Sequence, residues 1–221
     1  FKQAIESVRN DKVSKEAFLI VRPYENAPNA ESYKLRISND SIVVFAASED
    51  ALTRCAATLM QLRKDESSLY CVEIEDSPAY AWRGVMLDVS RHFFDVDFVK
   101  KQIDAMAHFK LNHLHLHLTD AAGWRIEIKQ YPLLTQQAAW RPQATWKEWW
   151  NGDRQYVEEG STHAYGGYYT QEQIRDIISY AQSRFITVIP EIEMPSHSEE
   201  VLTVYPELSC SHVPYKESDF C

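Results

Sequence analysis

In the stretch NHLHLHLTD, residues 112–120, histidines at positions 113, 115 and 117 alternate with leucines, and the run ends on Thr119 and Asp120. Three imidazoles at that spacing first suggest a metal. Side chains two residues apart on an extended strand stand about 6.5 to 7 Å apart, so two can share an ion but three in line do not converge on one. No HExxH and no neighbouring cysteine supports a metal centre, and neither a metal nor another cofactor is expected. The alternation instead places Leu114, Leu116 and Leu118 toward covering helices and the histidines on the opposite face, where each nitrogen needs a hydrogen-bond partner. That face leads to the carboxyl end of the strand, which is where parallel α/β sheets bind their ligands. Three segments end in polar groups of this kind: Ser90 and Arg91, then Thr119 and Asp120, then Glu193, Ser196 and His197. The histidines read as the floor beneath a site whose working residues lie just beyond them. Glu191 and Glu193 share one face by strand parity, but no motif assigns them chemistry.

These positions require elements that carry them. RGVMLDVS is a nearly continuous apolar run, as a parallel strand buried on both faces requires; HLHLHL and ITVIPEIEM make a second and a third strand. Between the first two, Asp95 can cap a helix with Val96, Val99, Ile103 and Met106 in one stripe. Before the third, Thr170 and Gln173 form a capping box for a helix with Ile174, Ile177, Ile178 and Ala181 on one face. A long segment rich in Trp and Gly, from about Tyr131 to Tyr168, separates these parts; Trp140, Trp146, Trp149 and Trp150 in it suit either sugar stacking or a small core of their own. Strands alternating with helices point to a parallel sheet, open or closed into a barrel.

Residues 1–77, ahead of Pro78, have a different rhythm and read as a small α+β domain without chemistry of its own, leaving 78–221 as the second domain. AFLIVR is a strand, and SYKLRIS and SIVVFAA join through Asn39-Asp40 as a hairpin. A helix follows, with Leu52, Cys55, Ala56, Leu59 and Leu62 at helical spacing, and then LYCVEIE as another strand.

The 221 residues, 45% hydrophobic, have a globular composition. A formal charge of -9 repels the phosphate backbone, so nucleic acid is not an expected partner. No apolar run is long enough to span a membrane, and FKQAIESVRND has no leader pattern; a secreted or periplasmic location fits if a signal peptide has been removed. Cys55, Cys71, Cys210 and Cys221 form no CxxC; Cys210 and Cys221 are close enough for a small disulfide loop, which spacing alone does not establish.

AWRGVMLDVSRHFF, NHLHLHLTDAAGWRIEI and VIPEIEMPSHS, in that order, resemble the glycoside hydrolase family 20 β-N-acetylhexosaminidases over roughly residues 78 to 210. Two departures stand out: the family often has acidic and amide residues where Ala121 and Ala122 stand, and glycine where this chain has Ser196. The resemblance implies an α/β fold, the N-terminal part of a (β/α)8 TIM barrel preceded by a small α+β domain. It implies glycans with a terminal β-linked N-acetylglucosamine or N-acetylgalactosamine as substrate, without choosing between them. It also implies substrate-assisted retention, in which the sugar's acetamido oxygen attacks C1, a Glu protonates the leaving oxygen and the adjacent Asp orients the acetamido group. Arg91 matches the arginine that holds hydroxyls of the terminal sugar. Asp120 and His197 match a supporting pair in which the carboxylate orients the imidazole near the general acid. Trp124 and Arg125 in GWR are expected to lock a loop rather than touch sugar.

The catalytic Asp-Glu pair belongs at the end of the fourth strand. The one adjacent Asp-Glu here is Asp65-Glu66, which a solvated helix end explains better. The residues from Pro78 onward are also too few for eight units averaging about 31 residues each. The expectation is a truncated catalytic domain, inactive by itself. The competing readings are a carbohydrate-binding barrel without catalysis and a metal-dependent barrel hydrolase.

Overall fold

The computed structural model describes residues 18–62 and 69–213. Asp65-Glu66 and Cys221, and with it the Cys210–Cys221 pairing, lie outside them. The chain divides into two compact units: one gathers the residues up to Arg83 with Ile103–Asn112 and Ser183–Ile186, the other Gly84–Gln102, His113–Gln182 and Thr187 onward. No described helix is long and apolar enough to cross a membrane.

In the first unit, β1 (Phe18–Pro23), β2 (Tyr33–Ile37), β3 (Ser41–Ala46) and β4 (Val72–Asp76) form a sheet in the order β1-β3-β2-β4. The hairpin at Asn39-Asp40 is present: β2 and β3 pair antiparallel and Ser38 N–H donates to Ser41 O at 2.9 Å. Helix α1 (Glu49–Gln61) is capped by Ser48, whose hydroxyl accepts from Ala51 N–H. Strict alternation buries Tyr33, Leu35 and Ile37 from β2 and Ile42, Val44 and Ala46 from β3, joined by Ala51, Cys55 and Leu59 from α1. The expected helix face packs on the sheet: Cys55, Ala56 and Leu59 are buried, Leu52 and Leu62 lie partly buried against the same core, and Arg54 is buried beside them between Glu31 and Asp50, each 2.9 Å from its Nε. A cavity of about 270 Å³ lined by Glu31, Tyr33, Arg54, Asp76, Arg83 and Lys110 is held by pairing among those charges, with Lys110 Nζ 2.7 Å from Asp76.

In the second unit, β5 (Gly84–Asp88), β6 (His113–His117) and β7 (Thr187–Glu191) are all parallel, with β6 in the centre. Leu114, Leu116 and Leu118 are buried on one face, as the alternation requires. Helix α2 (Val96–His108), counted with this unit as far as Gln102 and with the first from Ile103, starts at Asp95, whose Oδ1 accepts from Phe98 N–H at 2.8 Å, and its stripe of Val99, Ile103 and Met106 is buried. The capping box of α3 (Gln171–Gln182) is formed: Thr170 N–H donates to Gln173 Oε1 and Gln173 N–H to Thr170 Oγ1. A second capping box, Thr145 with Glu148, opens a short helix at Trp146–Asn151 that periodicity over so few residues does not reveal. Of the tryptophans, Trp149 is buried with Ala121, Ala122 and Tyr156 in a small core, while Trp146 and Trp150 stack on each other, partly exposed.

Candidate active site

Register brings the site together. In-line pairing sets Gly84, His113 and Thr187 in one row across the sheet, Met86, His115 and Ile189 in the next, and Asp88, His117 and Glu191 in the row at the carboxyl end. Parallel neighbours in one row share a face, so the two carboxylates flank the buried His117. The expected floor of histidines is therefore an ionic row at its far edge.

Just beyond this row the chain supplies Arg91, Asp120 and His197, and the structure places all three around one oxygen. Asp120 Oδ2 lies 2.5 Å from Arg91 Nη2 and 3.1 Å from His197 Nδ1, with the Asp120 side chain almost fully buried. Arg91 is clamped further: Nη1 lies 2.9 Å from Asp88 Oδ2 and 2.8 Å from His117 Nε2. Asp88 also accepts the main-chain N–H of Ser90 and of Arg91. Of the five guanidinium N–H groups, the two on Nη1 and one on Nη2 are thus engaged, leaving Nε–H and one Nη2–H. About a third of the Arg91 side chain remains exposed to meet a ligand.

His117 is the hub. Its Nδ1 is 2.6 Å and its Nε2 3.2 Å from the carboxylates of Glu191 and Asp120. Burial pulls its pKa down, but the hydrogen bonds to Glu191 and Asp120 outweigh that and hold it above the ordinary value. Glu191 is opposite: burial pushes it up, and the bond from His117 brings it below the ordinary carboxylate value. His117, Glu191 and Glu193 bring ligand atoms within 4.8 Å of one another and are the described residues best placed to hold a cation. The 2.6 Å between His117 Nδ1 and Glu191 is hydrogen-bond length, shorter than the roughly 3.3 Å between two ligands of a tetrahedral ion at bonds of about 2.0 Å, and the guanidinium of Arg91 sits on the other ring nitrogen.

The loops carrying Arg91 and Asp120 are fastened from beneath by Arg125. Its buried guanidinium donates to Val89 O (3.0 Å), Ser90 O (2.6 Å), Ala122 O (3.3 Å), Ala139 O (2.5 Å) and Gly167 O (3.0 Å). Burial, and then the charge of Arg141, pull it down to about 9, so it keeps its proton at neutral pH. Gly123 is a glycine because a Cβ there would lie 2.4 Å from this guanidinium. Arg141 repeats the device, donating to Ala122 O and to the main-chain oxygen of Arg91. Ala121 and Ala122 are buried in the small core with Trp149, against which Tyr156 packs. Ser196 keeps an ordinary negative φ, so this loop needs no glycine there; His197 takes φ 54, next to a Ser198 hydroxyl that donates to Ser196 O at 3.0 Å.

Asp88 and the hub role of His117 were not apparent from sequence; the one available signal was the matched parity of His117 and Glu191 at two strand ends. Glu200 had no signal at all. It is fully buried, and neither carboxylate oxygen reaches a partner at hydrogen-bond geometry among the described residues. Burial raises its pKa well above the ordinary value, with Glu199 and Asp120 adding to that and its own amide only partly offsetting it.

A parallel α/β sheet with a carboxylate, histidine and arginine cluster at the carboxyl ends of its strands is the ligand-binding edge of an α/β protein. The profile of the glycosyl hydrolase family 20 catalytic domain matches residues 80–220, and the chain belongs to that family. It is 43% identical over 190 residues to a beta-hexosaminidase of Porphyromonas gingivalis, covering 81% of this chain and 22% of that protein. A beta-hexosaminidase of Vibrio furnissii is 42% identical over 182 residues, covering 80% of this chain and 28% of that one. The crystal structure of an exo beta-N-acetylglucosaminidase from Vibrio harveyi in complex with N-acetylglucosamine superposes with a TM-score of 0.76 at 36% identity, covering 97% of this chain and 36% of that one. The chain thus spans between about a fifth and a third of the curated relatives it matches.

Proposed function

We propose that the protein to which this chain belongs is a β-N-acetylhexosaminidase that removes terminal β-linked N-acetylglucosamine or N-acetylgalactosamine from glycans by substrate-assisted retention. The observation that carries this is the meeting of Arg91, Asp120 and His197 at one carboxylate oxygen, 2.5 and 3.1 Å from its two partners. Residues so far apart in sequence converge at the sheet edge where a barrel glycosidase binds sugar. The exposure of Met86 on the histidine face also favours further strands covering that face, as in a closed barrel with the small α+β domain before it.

In this reading Arg91 presents Nε–H and one Nη2–H to adjacent hydroxyls of the terminal sugar, its other edge being fixed by Asp88, His117 and Asp120. Asp120 accepts the Nδ1–H of His197 and so keeps the other ring nitrogen free to hydrogen-bond the general acid. The general acid and the acetamido-orienting carboxylate come from a part of the protein outside these residues. The test is release of a chromogenic aglycone from N-acetylglucosaminides and N-acetylgalactosaminides by the full-length protein. Sugar binding without turnover would favour a lectin-like barrel, and loss of turnover on chelation would favour metal hydrolysis.

A further inference from the structure

Arg91 is held by three groups, and one of them, the imidazole of His117, acts as a clamp only in one tautomer. A guanidinium has no lone pair, so Nη1 can donate across the 2.8 Å to Nε2 only while Nε2 is bare, in the neutral ring and not in the imidazolium whose Nε2–H turns to Asp120. The ring proton of neutral His117 must then sit on Nδ1, which faces Glu191 Oε2 at 2.6 Å. We propose that Glu191 is a positioning residue for sugar recognition: by accepting the Nδ1 proton it fixes the His117 tautomer that lets Nε2 receive Arg91. This rests on the reading of Arg91 as the sugar-holding residue.

Three features make Glu191 the determinant. Strand register sets it level with His117 in the same row of the sheet, so the contact is built into the pairing of β6 and β7. The same Oε2 lies 2.7 Å from His115 Nε2, which steadies the carboxylate from the row behind. Only 7% of the His117 side chain is exposed, so water is not at hand to replace the carboxylate. In the other tautomer an Nε2–H would either point at a guanidinium donor or turn to Asp120 Oδ2, 3.2 Å away. Either way Arg91 loses an anchor, and the two N–H groups aimed at the sugar lose their fixed direction.

The experiment uses the full-length protein with ¹⁵N-labelled histidine. The His117 signal is assigned by its loss in His117→Gln, and two-bond ¹H–¹⁵N correlations read its tautomer. At a pH where the ring is neutral, His117 is expected to carry its proton on Nδ1, and Glu191→Leu to move it to Nε2. In parallel, Glu191→Leu should raise the inhibition constant for N-acetylglucosamine about tenfold, the worth of roughly one ordinary hydrogen bond. Glu191→Gln, which keeps an acceptor, should recover most of that loss and also serves if the leucine variant does not fold. In an Arg91→Ala background Glu191→Leu should add little, because the interaction it supports is gone. A native His117 protonated on Nε2, or the same factor lost with and without Arg91, overturns the proposal. If the protein binds no N-acetylhexosamine, the functional reading fails, while the tautomer still decides whether Glu191 sets His117.

Discussion

Arg125→Met tests the claim that one guanidinium pins the loops of the site. The side chain is buried, and its donors reach five main-chain oxygens from separate segments: Val89, Ser90, Ala122, Ala139 and Gly167. Methionine fills much of the volume but donates nothing, so all five carbonyls are left without this partner in a buried place. At about 1 kcal/mol for each, the loss is about 5 kcal/mol, as large as the whole stability of a marginal domain. Arg125→Lys keeps the charge but has three donors, so at least two carbonyls go unmet and the cost is about 2 kcal/mol. Urea unfolding followed by tryptophan fluorescence reads this, since the buried Trp124 and Trp149 belong to the same unit. A loss below about 1 kcal/mol for Arg125→Met, or equal losses for Met and Lys, would refute the reasoning.

Gly123→Ala is expected to destabilise the same unit, because its Cβ would lie 2.4 Å from the Arg125 guanidinium; an unchanged midpoint would show that the loop can yield. Arg91→Ala should weaken binding of N-acetylglucosamine by about 1.5 to 3 kcal/mol, the worth of a charged hydrogen bond, and an unchanged inhibition constant would exclude contact with sugar. Asp120→Asn and His197→Ala should each lower turnover, with the double substitution costing less than the product of the two; independent losses would separate the pair. Glu200 has a raised folded pKa, so the unfolded chain releases this proton first and native stability falls as pH rises from about 4.5 toward the folded value, by at most about 1.4 kcal/mol per pH unit. Glu200→Gln should abolish that part of the slope and stabilise the protein at neutral pH; an unaltered slope in melting temperature against pH would mean that Glu200 is ionised and paired.

Element types were legible in the residues because they depend on local order. Alternation in HLHLHL, the stripe Val99, Ile103 and Met106, and the Thr170–Gln173 capping box each act within a few residues, so the strands and helices appear where periodicity puts them. The three motif blocks likewise sufficed to point at Arg91, Asp120 and His197, and at the family. Tertiary structure alone decided how these parts meet. Register between distant strands set Asp88, His117 and Glu191 abreast, and a one-residue slip of any strand would have turned its member to the opposite face. Loop closure brought five carbonyls to Arg125, and burial left the Glu200 carboxylate with no side-chain partner among the described residues, although its neighbours in sequence are those of an ordinary exposed helix start. Such contacts join residues tens of positions apart, and their energies come from desolvation and geometry that local sequence does not encode.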